Sequence, residues 1–178
     1  MGRGLAELVS ARSYGAAMAD LDALLDANRR YARSFASLPE PRPSRHVAAV
    51  TCMDTRLDVG GALGLGNGEA HILRNAGARV TDDVLRSLAL SAKVLEVDAV
   101  VLMQHTRCGL AGVTDAQLRF VTDADIDFAA IRDHAEALEH DIEVIAGTPF
   151  LDSVRTVAGW RFDVDNGTVE ELHRRQRP

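Results

Sequence analysis

Two short stretches hold both cysteines of the chain, and each sets a thiol beside groups that bind metals or handle protons: Cys52-Met53-Asp54-Thr55-Arg56 and His105-Thr106-Arg107-Cys108. A thiolate is a soft ligand and an imidazole a borderline one, a combination that suits zinc. His105 and Cys108 stand three apart, close enough to grip one ion from a short turn. Cys52 must arrive from another part of the fold. Two thiolates and one imidazole leave a tetrahedral zinc with an open position, the arrangement of a catalytic rather than a structural site. The plainer alternatives are a single disulfide, or two buried thiols beside a core histidine. A cysteine phosphatase loop is excluded by spacing, because it needs a longer run between cysteine and arginine than the three residues separating Cys52 from Arg56.

The whole chain has 178 residues, 47% hydrophobic and 26% charged, the balance of one globular domain with a real core. A net charge of −6 without a basic block, and only 4% aromatic residues, argue against a nucleic-acid surface. No segment approaches the roughly 18 apolar residues needed to span a bilayer. Arg3, Glu7 and Arg12 interrupt the stretch where a signal peptide would be apolar. The expectation is a cytoplasmic protein with reduced thiols and no membrane partner.

The elements that must position these residues follow from periodicity. Residues 14–37 read as an amphipathic helix, with Met18, Leu21, Leu25, Tyr31 and Phe35 on one stripe, ended by Pro39, Pro41 and Pro43. The apolar run 46–51 predicts a buried strand ending at Cys52, and Gly60–Gly68 a helix-turn or loop. A second strand covers 70–74, closed by Asn75-Ala76-Gly77. Thr81 caps a helix whose inner stripe is Val84, Leu88, Ala92 and Leu95. A third strand, 99–103, runs into His105. Thr122 and Asp125 open a further helix, with Asp123, Asp125 and Asp127 at its start and Ile131, Ala135, Leu138, Ile142 and Ile145 inward. A strand over 154–164, a turn at 165–168 and a short final segment complete the chain. Alternating strands and helices imply a single α/β domain with a mainly parallel sheet flanked by helices. In such a sheet ligands gather beyond the carboxyl ends of the strands, where Cys52, Arg74–Gly77 and His105 all fall.

Cys-x-Asp-x-Arg (Cys52, Asp54, Arg56), Arg-Asn-Ala-Gly (Arg74–Gly77) and His-x-x-Cys-Gly (His105, Cys108, Gly109) stand in one order along the chain. Together they resemble the β-class carbonic anhydrases, over roughly residues 46–165, and the short chain looks most like the compact prokaryotic branch. The resemblance implies one zinc per chain held by Cys52, His105 and Cys108, with Asp54 and Arg56 as a dyad beside it. It implies reversible hydration of carbon dioxide to bicarbonate and a proton, through a zinc-bound hydroxide that Asp54 orients while Arg56 holds the carboxylate. It also implies a homodimer, or a larger assembly of dimers, with the N-terminal helix lying across the partner. Both open sites and closed sites, with Asp54 as a fourth ligand, occur in the family.

The reading that follows is an arm, helix and Pro-rich connector over 1–45 and a zinc-binding catalytic α/β region over 46–178, within one structural domain. Gly77, Gln104 and Gly109 are the substrate-pocket candidates. Gln104 departs from the family, where a glycine commonly precedes the histidine, and a side chain there could reshape the wall behind the metal. His71, His134 and His140 read as structural or exposed. The alternative activity on the same scaffold is hydrolysis of carbonyl sulfide or carbon disulfide, which the motifs do not separate from carbon dioxide hydration.

Overall fold

Short apolar runs rich in valine and alanine become the interior strands that carry the chemistry. In the computed structural model, which describes residues 19–38 and 40–177, these are β1 (Val47–Cys52) and β3 (Ala99–His105), with β2 (Ala70–Asn75) beside β1 at the sheet edge. With β4 (Thr156–Phe162) and β5 (Val169–Gln176) they form one sheet in the order β2-β1-β3-β4-β5. Strands β1 to β4 are parallel, and β5 turns back antiparallel to β4 at one edge. The helices among the described residues are α1 (Leu21–Tyr31), α2 (Val59–Leu63), α3 (Asp82–Lys93), α4 (Asp115–Thr122) and α5 (His134–Gly147).

Alternation along the strands divides the core in two. Ala48 and Val50 of β1 and Val100 and Leu102 of β3 pack with Val84, Leu88 and Ala92 of α3 and Leu138, Ile142 and Ile145 of α5. A second cluster joins Val101 and Met103 of β3 to Cys52, Leu57, Val59, Cys108, Ile131 and Phe162. Both cysteines therefore lie in the second cluster, to which the short helix α2 contributes Val59 and α5 only Ala137. Close packing of α5 on β4 depends on Gly159, where a Cβ would stand 3.0 Å from the Cβ of Leu138.

Several boundaries differ from the periodicity. Thr122 ends α4 instead of opening a helix, and Asp123 adopts a left-handed backbone with φ 54° that stops it. The long helix starts at His134, capped by the Asp133 carboxylate on the N–H groups of Ala135 and Glu136. Ile131 lies outside that helix yet is buried, bridging Ala111. The capping box of Thr114 and Gln117, which starts α4, is the signal that identifies this helix. Thr81 stands at the N-cap of α3 without a side-chain cap bond, and Leu95 lies beyond the helix end. The short helix α2 forms within the expected glycine-rich loop, capped by Asp58 on the Gly61 N–H and stopped by left-handed Gly64.

The amphipathic stretch expected over 14–37 corresponds to α1 and a 3-10 turn at Ala32–Ser34, while residues 14–18 and Pro39 lie outside the described residues. Leu21, Leu24, Leu25, Tyr31 and Phe35 of this segment are all exposed within a single chain.

Candidate metal centre

The strand order reverses beside β1: the chain moves from β1 to β2 on one side, then crosses to β3 on the other. Such a switch point opens a crevice at the carboxyl ends of the two diverging strands. Cys52 is the last residue of β1 and His105 the last of β3. Cys108 arrives from the following turn, in which Arg107 takes a left-handed φ of 55°. The ligating atoms of Cys52, His105 and Cys108 lie within 4.8 Å of one another, and all three residues are buried. The two sulfurs are 4.0 Å apart, too far for a disulfide bond near 2.05 Å.

The donor set fits a metal ion. His105 Nδ1 lies 2.8 Å from the carbonyl oxygen of Thr106, which selects the tautomer with the proton on Nδ1. That leaves Nε2 as a lone-pair donor, and Nε2 is buried without a hydrogen-bond partner. A buried polar atom so stranded is costly unless something is coordinated there. The contact with the Cys108 sulfur holds the Cys52 thiol well below the ordinary thiol range. The N–H groups of Asp54 and Gly77 also favour the Cys52 thiolate. The same contact, with burial, pushes the Cys108 thiol up.

Asp54 sits at the mouth of this set. Its carboxylate accepts from Arg56 Nε at 2.9 Å and from Arg56 Nη2 at 2.7 Å, a bidentate pair. The Arg56 backbone N–H adds a bond of 3.0 Å. Hydrogen bonding to Arg56 holds the Asp54 carboxyl far below the usual carboxylate range. Asp54 Oδ2 is 3.8 Å from His105 Nε2, so the carboxylate reaches the metal set while remaining paired with arginine.

The Arg-Asn-Ala-Gly element supports this loop from the neighbouring strand. Arg74 donates from Nε to the carbonyl of Cys52 at 3.0 Å and from Nη2 to that of Asp54 at 2.7 Å. Asn75 bonds both the carbonyl and the N–H of Arg79, closing the 3-10 turn Ala76–Ala78. Gly77 has φ 74°, and a Cβ there would meet Leu110 Cδ2 at 3.0 Å. Gly77 acts here through its backbone, whose N–H favours the Cys52 thiolate. Arg79 continues the scaffold with a buried bidentate pair to Asp141 at 2.7 and 3.0 Å. A cavity of about 370 Å³ opens beside Arg74, Asn75, Ala76 and Phe128.

Gln104 is fully buried, and its Oε1 lies 2.7 Å from His134 Nδ1. The side chain thereby ties β3 to the start of α5. Gly109 follows Cys108 and is exposed. His71 bonds Ser91 and the carbonyl of Pro41, and His140 is exposed beside Arg79 and Glu136. Sequence spacing brought out Cys52, Asp54, Arg56, His105 and Cys108. It did not bring out the backbone contacts of Arg74 or the Arg79–Asp141 pair, which depend on chain crossings that no local pattern records.

A family model described as carbonic anhydrase matches residues 47–143, more than half of the chain. Beta-carbonic anhydrase 1 of Mycobacterium tuberculosis is 39% identical over 161 residues, covering 85% of this chain and 96% of the relative. The crystal structure of a carbonic anhydrase from Streptococcus mutans superposes with a TM-score of 0.79 at 40% identity, covering 89% of this chain and all of that one. A carbon disulfide hydrolase of Acidithiobacillus thiooxidans is 28% identical over 156 residues, covering 73% of this chain and 78% of the relative. With its parallel sheet, its switch-point crevice and its cysteine–histidine–cysteine set, the chain belongs to the β-class carbonic anhydrase family.

Proposed function

We propose that this chain is a zinc enzyme that reversibly hydrates carbon dioxide to bicarbonate and a proton. The observation that carries the reading is the carboxylate of Asp54, held by Arg56 and only 3.8 Å from the stranded Nε2 of His105. Cys52, His105 and Cys108 would hold one zinc per chain, which when bound lowers the pKa of water to about 7 and so supplies hydroxide at neutral pH.

The remaining work falls to the chain's own residues. Asp54, ionised because of Arg56, has no proton to give and acts as a hydrogen-bond acceptor. An acceptor at that place orients a neighbouring O–H and directs its free lone pair toward a carbon electrophile. Arg56 fixes the carboxylate through a planar fork, so the acceptor does not rotate away. The N–H groups of Asp54 and Gly77 stabilise the Cys52 thiolate. If Asp54 leaves Arg56, its carboxylate is close enough to become a fourth ligand, and that arrangement is inactive. Gly77, Gln104 and Gly109 act through the frame of the site: a backbone donor, a link to α5 and a turn.

The exposed apolar face of α1 supports a homodimer in which this helix lies on the partner, with residues 1–45 as the dimerising arm and 46–178 as the catalytic region. None of the described helices is long and apolar enough to cross a membrane, and the acidic balance does not suit nucleic acid. These features support a cytoplasmic enzyme acting on a small-molecule substrate.

A second reading is supported by the similarity to carbon disulfide hydrolase. Metal analysis combined with stopped-flow carbon dioxide hydration separates the two. Zinc near one equivalent with rapid hydration at about pH 8.5 supports the first. Full zinc without hydration, together with sulfide release from carbonyl sulfide or carbon disulfide, replaces it with the second.

A further inference from the structure

Arg74 lies on β2, opposite Thr51 of β1, and its side chain crosses to the end of the neighbouring strand. There it bonds two carbonyl groups that bracket Met53: those of Cys52 and Asp54. The Met53 N–H donates to the carbonyl of Asn75 at 2.8 Å, so three bonds from β2 hold the short segment 52–54. Met53 itself is 65% exposed. The Asp54 carbonyl is thus held by Arg74 together with the Leu57 N–H, which bonds it at 3.1 Å, and the Asp54 carboxylate by Arg56. We propose that Arg74 is a positioning residue for the reaction, acting through Asp54 by keeping its backbone where the carboxylate meets Arg56 and the metal set.

The geometry asks for arginine in particular. The two carbonyls are reached by Nε and one Nη of a single planar group, at 3.0 and 2.7 Å. A lysine ammonium keeps the charge but is a point donor without the fork. A role confined to closing the strand end would need only the Cys52 carbonyl. The shorter of the two bonds goes beyond it, to Asp54.

The proposal rests on the dyad reading, and a double-mutant cycle separates the two. The variants are Arg74→Gln, Arg74→Lys, Asp54→Asn and Asp54→Asn with Arg74→Gln, with kcat and KM for hydration measured on each zinc-loaded protein. Arg74→Gln is expected to lower kcat by about 10–100-fold with little change in KM, and Arg74→Lys not to restore it. In the Asp54→Asn background the same glutamine should cost less than about threefold, since there is no carboxylate left to position. A second readout is the visible spectrum of the cobalt(II)-substituted proteins. Arg74→Gln should change it in the wild-type background and leave it unchanged in the Asp54→Asn background.

Equal losses in both backgrounds would make Arg74 a structural brace and overturn the assignment. An unchanged kcat in Arg74→Gln overturns it too, as does failure of both Arg74 variants to fold. If Asp54→Asn alone keeps the wild-type kcat, it is the dyad reading that falls.

Discussion

Arg56 reaches the carbonyl oxygen of Arg107 at 3.2 Å with the same Nη2 that holds Asp54. One guanidinium therefore ties the loop after β1 to the turn after β3, and so joins the two pieces of chain that carry the cysteines. The left-handed backbone at Arg107 belongs to the same turn. Replacing Arg56 by lysine keeps a positive charge but cannot hold both carboxylate oxygens and the carbonyl together. Arg56→Lys is expected to lower kcat/KM by about 10–100-fold, with zinc content retained, as read by stopped-flow hydration and metal analysis.

Removing a ligand acts differently from removing a support. Cys108 is buried and contributes one of two sulfurs to the set. Cys108→Ser should weaken zinc binding by more than the roughly 100-fold typical of a lost outer contact. Dialysis against a chelator followed by metal analysis checks this. The far-ultraviolet circular dichroism should persist, because the large core lies on the other face of the sheet.

The pH dependence has two parts of opposite origin. Asp54 has its carboxyl pKa depressed in the fold by hydrogen bonding to Arg56. Its contribution to stability is therefore fully present above the ordinary carboxylate value of about 3.9 and fades as pH falls below it. It does not titrate near neutrality. Hydration activity should instead rise between about pH 6.5 and 8.5 as hydroxide becomes available and the closed arrangement gives way. A flat profile over that interval, with zinc fully loaded, would remove the switch from the mechanism.

Away from the candidate site, Arg79 and Asp141 form a buried pair in which Asp141 is 2% exposed and also accepts from the Val80 N–H. Replacing the carboxylate alone leaves a buried guanidinium without its counter-charge. Asp141→Ala should cost about 3–5 kcal/mol, seen as a lower midpoint in urea with an unchanged slope.

At Gly159 the constraint is contact rather than charge. An added methyl group would stand 3.0 Å from Leu138 Cβ and 3.2 Å from Ile142 Cδ1, both on a helix that cannot retreat without opening the core. Gly159→Ala is expected to destabilise by about 1–3 kcal/mol in the same denaturation measurement.

Much of the fold could be read in advance because its interior strands are buried on both faces. Unbroken apolar runs such as Ala48-Ala49-Val50 leave few other structures open to them. The same strands end in Cys52 and His105, so two of the candidate ligands came with the strands. Helix boundaries were harder. Thr122 and Asp125 resemble a helix start, but Leu118 is buried on the preceding turn and Asp123 is left-handed, so the segment closes one helix instead of opening another. The antiparallel return of β5 has no local signature, since its residues pair as charges rather than forming an apolar run: Glu170 with Arg161 of β4, Glu171 with Arg174 of β5 itself, and Arg175 with Glu143 of α5. Arg74 was visible as part of a motif, whereas its acceptors are backbone atoms on another strand.

Of the three candidate ligands, two end strands that have a neighbour on each side, and the third does not. Cys52 and His105 can move only if the sheet itself gives way. Cys108 hangs from a turn of a few residues, steadied by the Arg56 contact to Arg107. The site therefore works like a vice with two fixed jaws and one sliding jaw. Ion exchange should follow local opening of residues 106–108, at a rate set by that turn and not by global unfolding.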